Sequence, residues 1–336
     1  MEIGLTPYDP HKVLCWPHRI NELIRGKIPN PVTLMIDPTN KCRYRCIFCS
    51  STGIPRNMSL SGEEMKDLIH QGYDLDVQGT TFAGGGEPLD NPDTPSAIQE
   101  AYDTYLQVGM ITNGYGLKKP AAMRAAETCR WVRVSISGGV EKTYRELMRP
   151  PKDFSLDALA SHVKHLHESG VYISVSYLAQ HQNVGEISRA IDMFRDADQV
   201  TVRPAYKLTP ETEPPTENDI PIVKKQIEEA RSRGANIHTY TDRFTHIQPK
   251  PSCLASPLLA VCQADGNIPI CCHKRYEPEY YIGNFLETPL TEIWGSDRHK
   301  KVLKSTNPEK CHHCRYGKYA KIINNYKEDG IHRCFI

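Results

Sequence analysis

Val32-Thr-Leu-Met-Ile36 runs directly into Asp37-Pro-Thr-Asn-Lys-Cys42-Arg-Tyr-Arg-Cys46-Ile-Phe-Cys49. The first five residues read as a short buried strand, so three cysteines spaced CxxxCxxC fall in the loop that leaves it. Ser61-Gly-Glu-Glu64 follows with capping-box spacing, and Met65, Leu68 and Ile69 give the helix it opens an apolar face. The same strand-then-helix pattern recurs. Thr80-Thr-Phe-Ala83 leads into a glycine-rich turn, Val108-Gly-Met-Ile111 into Thr112-Asn-Gly114, and Trp131-Val-Arg-Val-Ser-Ile-Ser137 into Gly138-Gly139. Val171–Leu178 and Val200–Arg203 bring the strands to six. Helical periods lie between the later strands, at Leu156, Leu159, Val163 and Leu166, at Val184, Ile187, Ile191 and Phe194, and at Ile220, Val223 and Ile227. Strands that alternate with helices of this length predict an α/β fold with a parallel sheet and right-handed crossovers. Six units are too few to close an eight-stranded barrel.

Outward from that core, residues 1–31 read as an irregular, proline-rich extension, and residues 32–235 as the alternating domain. Residues 236–336, where the composition shifts to Pro, Cys, Tyr and His, read as a second module. A chain of 336 residues is long enough for both. Lys and Arg total 41 against 40 Asp and Glu, with no long block of one sign, which gives no electrostatic case for nucleic acid or for an anionic membrane surface. The N-terminus lacks an apolar signal core and no stretch approaches a membrane span, so the expectation is a soluble cytoplasmic protein. Twelve cysteines without a secretion signal point to metal or redox chemistry rather than to disulfides.

Cys42, Cys46 and Cys49 can hold three irons of a cubane and leave the fourth open to a chelating ligand. A zinc site with three thiolates is the competing reading. The turn Gly84-Gly-Gly-Glu-Pro88 bears on the choice, because it lies just past a predicted strand, at the same rim as the cysteine loop.

The cysteine triplet followed by this GGGEP turn resembles the radical S-adenosylmethionine (SAM) superfamily. The resemblance implies an open, TIM-like (β/α)6 partial barrel, a [4Fe-4S] cluster on Cys42, Cys46 and Cys49, and SAM on its open iron. It also implies a one-electron donor such as flavodoxin or ferredoxin, and a 5′-deoxyadenosyl radical that removes hydrogen from a substrate. By the same resemblance Gly84, Gly85 and Gly86 lie against the methionine amino group, with Glu87 and Pro88 fixing the turn. Phe48 lies by the adenine and Ser135 matches the serine of the fourth strand. Asn113 is expected at the ribose and Arg149 at the cofactor carboxylate. The fourth strand ends Ser-Ile-Ser-Gly-Gly where many relatives carry Ser-Leu-Asp-Gly, so an aspartate contact is not carried over.

In the second module Cys253, Gly266, Cys271 and the pair Cys311-His-His-Cys314 resemble the SPASM/twitch modules of that superfamily. The resemblance implies one auxiliary [4Fe-4S] cluster on Cys253, Cys271, Cys311 and Cys314, with Cys272 the nearest substitute ligand. A zinc knuckle is the alternative. A cluster held by four cysteines has no open iron, so its expected task is electron transfer.

Only 31 residues precede the first strand, which favours a small substrate, and the resemblance to relatives with a single auxiliary cluster implies a polar one such as a sugar, an aminocyclitol or a nucleoside-like molecule, oxidised or epimerised. A peptide-modifying enzyme is the alternative. Tyr177, His181, Arg203 and Tyr206 lie at or after strand ends where a substrate would sit. Cys129, Cys262, Cys272 and Cys334 are the thiols that an epimerase could use as hydrogen donors, and Cys334 is kept as a candidate catalytic residue.

Overall fold

A computed structural model describes residues 9–239, 253–311, 314 and 316–327. Six strands stand close to where the sequence places them: β1 (Thr33–Ile36), β2 (Gly79–Phe82), β3 (Gln107–Thr112), β4 (Trp131–Ile136), β5 (Tyr172–Ala179) and β6 (Gln199–Pro204). Two more, β7 (Ile237–Thr239) and β8 (Leu259–Cys262), extend the sheet at its two ends. The order is β7-β6-β5-β4-β3-β2-β1-β8, and every pairing is parallel. Among the described residues no pairing joins β7 to β8, so the barrel stays open. The six-strand expectation is thus corrected to eight. The expected boundary at residue 235 falls just before β7, and β8 comes from the second module yet pairs with β1, Thr33 opposite Leu259 and Ile36 opposite Cys262.

Helices lie between the strands for local reasons. Ser61 and Glu64 close a reciprocal capping box on Gly62–Asp74, with Ser61 Oγ accepting from the Glu64 N–H at 3.2 Å. Pro120 opens Pro120–Glu127 at a position whose N–H would have no helical partner anyway. The proline-rich extension is also not wholly irregular: Pro17–Ile24 is a helix, again opened by proline. Its Ile20 and Leu23, with Val13, pack on Ala320 and Ile323 of the last helix, Gly317–Lys327, so the two ends of the described chain share one small core.

Side-chain alternation divides the sheet into two faces. Val132, Val134, Ile136, Ile173, Val175, Tyr177, Val200 and Val202 go outward into the core shared with the helices. The inner face is split by chemistry. Met35, Ala83, Leu259 and Val261 make an apolar half around β1, β2 and β8. In β4 to β6 two inward rows are polar: Arg133, Ser174 and Gln199 form one and Ser135, Ser176 and Thr201 the next. The second module continues with an antiparallel pair, β9 (Asn267–Pro269) and β10 (Tyr281–Asn284), and a helix at Asp297–Ser305. Trp294 Nε1 donates to the Pro29 carbonyl at 2.8 Å and fastens that module to the chain ahead of β1. No helix among the described residues is long and apolar enough to cross a membrane.

Candidate functional site

The cysteine loop leaves β1 at the carboxyl end of the sheet, where parallel α/β sheets place their ligand sites. Backbone bonds fix it from three sides. Asn40 N–H donates to the Met58 carbonyl at 2.9 Å, Arg45 N–H to Arg149 at 3.2 Å, and Ile47 N–H to Leu147 at 3.0 Å. Tyr44 turns fully inward, edge-on to Tyr144 and Phe154, and anchors the loop while its neighbours face the rim. Phe48, half-buried, packs on the same core. Burial pushes the Cys42 thiol up to about 12, and burial with the neighbouring Cys49 and Cys42 pushes Cys46 up as well. Bare, these two are thiols, and the charge of a bound cluster is what would make them thiolates. Among the described residues no group of His, Cys, Asp or Glu side chains converges tightly enough for a single metal ion.

The glycine turn is pressed against this loop. Gly84 has φ +145°, and a Cβ there would lie 3.2 Å from Asp37 Cβ. A Cβ on Gly86 would fall inside contact distance of the Lys41 carbonyl, so only hydrogen fits. Glu87 is buried and accepts from Thr112 Oγ1 at 2.5 Å, Asn113 N–H at 2.7 Å and Leu89 N–H at 3.2 Å, which ties the loop after β2 to the loop after β3. Burial raises its carboxyl to about 7, against the pull of those three donors. Pro88 then opens a short 3-10 turn.

The remaining anticipated residues divide sharply. Asn113 is buried, its Oδ1 accepts from Tyr115 N–H at 2.9 Å, and its amide points at Cys42 Sγ 3.9 Å away, so it braces the cysteine loop. Ser135 is on the polar inner face, half-buried. Arg149 caps Glu141–Met148 in the left-handed region (φ +46°), and its guanidinium makes two bonds to Glu211, at 2.7 and 3.2 Å. A cofactor carboxylate would have to compete with that carboxylate. Tyr177 is the clearest departure: strand alternation sends it outward, fully buried, its hydroxyl donating to the Asn183 carbonyl at 2.7 Å. The inward residues beside it are Ser176 and Leu178. His181 is more than half exposed and pairs with Asp219 at 2.9 Å, which holds the imidazole above its ordinary pKa. Arg203 is an exposed inward position on β6. Cys334 lies outside the described residues.

Sequence reasoning missed the polar rows as a surface. Gln199 Oε1 and Thr201 Oγ1 are buried there with no hydrogen-bond partner, a state that calls for a ligand or water. The signal was present: Ser174 and Ser176 alternate with Val175 and Tyr177 at period two.

In the second module Cys253, Cys271, Cys311 and Cys314 line one cavity. Burial is the main reason that Cys253 rises to about 11, with Cys311 and Cys314 adding to it. Four sulfurs on one cavity fit the donor set of a cluster. Cys272 does not line it. Its sulfur lies 3.3 Å from the Tyr316 hydroxyl and packs against the apolar inner face of the barrel. His312 and His313 lie outside the described residues.

Comparison with known proteins agrees with both halves. Residues 36–194 match the family model of the radical SAM superfamily, and residues 253–315 match SPASM, an iron-sulfur cluster-binding domain. A probable GTP 3′,8-cyclase of Thermococcus kodakarensis is 26% identical over 45% of this chain and 48% of its own length. The chain spans about half the length of the first such curated relatives. A PqqA peptide cyclase of Ruegeria pomeroyi is 22% identical over 89% of this chain and 83% of its own length. Among solved structures, Streptococcus suis SuiB bound to S-adenosylmethionine has a TM-score of 0.68 at 17% identity, covering 98% of this chain and 82% of SuiB.

Proposed function

We propose that this chain, which carries a radical SAM domain followed by a SPASM iron-sulfur domain, is a radical SAM enzyme that modifies a peptide. The observation that carries the peptide reading is the extent of likeness. The match to a PqqA peptide cyclase runs over 89% of the chain and so takes in both domains, whereas the first GTP cyclase matches stop at about half. The expectation of a small sugar-like substrate rested on the short N-terminal segment and on likeness to relatives with a single auxiliary cluster, and the comparisons support the peptide alternative better.

In this reading Cys42, Cys46 and Cys49 hold the cluster that binds SAM, Gly84 to Gly86 receive the methionine end, and Phe48 flanks the adenine. Cys253, Cys271, Cys311 and Cys314 hold one auxiliary cluster. With the cofactors bound, the first site would supply a carbon radical able to take a hydrogen atom from the substrate, which would then release a proton to solvent and an electron that the second site could accept. A ferredoxin or flavodoxin supplies the starting electron. The chain's own part is to receive a peptide side chain between the apolar and polar halves of the barrel. Ser135, Ser176 and Thr201 offer hydrogen bonds there, Arg133 and Arg203 offer positive charge, and the walls keep water off.

The test is anaerobic incubation of the reconstituted enzyme with SAM, a reductant and the short peptides encoded beside its gene. A peptide two mass units lighter, with 5′-deoxyadenosine formed in step, is the expected result. Turnover of a sugar or cyclitol with every peptide left unchanged would overturn the reading.

A further inference from the structure

Three residues separate Cys271, on the wall of the C-terminal cavity, from Arg275, which reaches the base of the N-terminal cysteine loop. Arg275 Nε and Nη2 donate to the two oxygens of Asp37 at 2.5 and 2.8 Å, and Nη1 donates back to the Cys272 carbonyl at 2.9 Å. Asp37 is wholly buried and is the first residue after β1. Next in the chain, Tyr276 takes up φ +61°, a backbone conformation uncommon for a side chain of its size. Its N–H donates to Gln263 Oε1 at 3.0 Å and its hydroxyl to Asn40 Oδ1 at 2.5 Å.

Both captured residues back the glycine turn. Asp37 lies behind Gly84, and Asn40 Oδ1 lies 2.7 Å from where a Cβ of Gly85 would stand, with the Tyr276 hydroxyl closer still. The turn expected to receive SAM therefore rests on two side chains of the cysteine-loop stem, and both are held by a strap from the other domain.

We propose that Arg275 and Tyr276 are positioning residues for SAM, and that filling the C-terminal cavity tightens SAM binding at the N-terminal site through the strap Cys271–Tyr276. This rests on the two cofactor sites assigned under the proposed function. Removing the guanidinium would leave the Asp37 carboxyl buried without its partner, so it must protonate or draw in water, and either shifts the stem behind Gly84. The strap can transmit occupancy because its first residue is a cavity sulfur and its last touches the turn. Cys272, between them, fixes the crossing by its contact with Tyr316, which itself lines the cavity.

The experiment titrates SAM into the full-length, anaerobically reconstituted and reduced protein and follows the change in the electron paramagnetic resonance signal of the N-terminal cluster. Iron is counted in parallel. Arg275→Gln is expected to keep iron at both sites and to need about tenfold more SAM, inside the usual range for coupled sites. Arg275→Lys, which restores the charge, should come back to within about threefold of the parent protein. Cys271→Ser, which loses the C-terminal cluster, should weaken SAM binding about as much as Arg275→Gln. A wild-type midpoint in Arg275→Gln overturns the positioning role, and a wild-type midpoint in Cys271→Ser overturns the coupling. Should Arg275→Gln fail to fold, Tyr276→Phe deletes one hydroxyl and is expected to raise the midpoint about threefold, and no change would count against the strap. If the unaltered protein shows no response to SAM, it is the assignment of the first site that fails, a result separate from these.

Discussion

The two cysteine sites are built on opposite plans. Cys42, Cys46 and Cys49 sit within eight residues, on a loop bonded to its surroundings at Met58, Leu147 and Arg149 and wedged against a turn that tolerates no side chain at Gly86. Cys253, Cys271, Cys311 and Cys314 come from three separate segments and meet only because the turn at Cys253–Leu258, the segment after β9 and the final helix fold around one cavity. The first site is a property of a short sequence on a scaffold, and the second is a property of a folded domain. The first should therefore fail by local steric or ligand change, and the second by loss of domain stability.

The largest expected effect tests whether the sites are separable. A Cys42→Ala, Cys46→Ala, Cys49→Ala triple variant should lose 5′-deoxyadenosine formation essentially completely and keep about half of the iron, measured by chromatography and iron assay. Loss of all iron would show that the partition of ligands is wrong. Next is Gly86→Ala, whose methyl group would meet the Lys41 carbonyl. SAM binding should fall by about tenfold or more, as an over-packed site with a rigid backbone neighbour requires. Gly170→Ala is its control: with no atom within 4 Å of the new methyl group but φ at +85°, it should cost only about 1 kcal/mol of stability and leave SAM binding unchanged.

A smaller and sharper contrast lies between neighbours. Cys271→Ser should remove the C-terminal cluster's iron signal, whereas Cys272→Ser should retain it, because only Cys271 lines the cavity. The reverse result would exchange the two ligands. The smallest effect concerns acid. His299 in the second domain is wholly buried, and burial lowers its pKa from 6.5 to about 4. The unfolded chain binds that proton more readily, so His299 withdraws stability as pH falls from about 6.5 toward 4, by at most about 3 kcal/mol. Melting of His299→Asn should show a flatter dependence between pH 7.5 and 5 than the parent protein, and parallel curves would contradict this.

Much of the barrel was legible because its signals are local. Six strands, the Ser61 capping box and the glycine turn each announce themselves within a few residues. The two further strands do not. β7 is three residues long, and β8 is a four-residue apolar run inside a cysteine-rich stretch, where pairing with β1 decides its state. The site shows the same division. Cysteine spacing and the family resemblance pointed to two candidate ligand sets, and the structure gathers the four cysteines of the second around one cavity. A place near a strand end points to Tyr177, but period two puts it in the core and Ser176 on the inner face. The pairing of Arg275 with Asp37 spans 238 residues and leaves no pattern in the sequence.

β8 joins the sheet beside β1, the strand that carries the N-terminal cysteines. The two domains are therefore not cassettes that could be cut apart and exchanged. A fragment ending after Ser232 would bare the backbone of β1 as an adhesive edge. In a chain made from its N-terminus the cysteine loop emerges long before the strand that shields its base, so the scaffold under the first site is completed only by the last third of the protein.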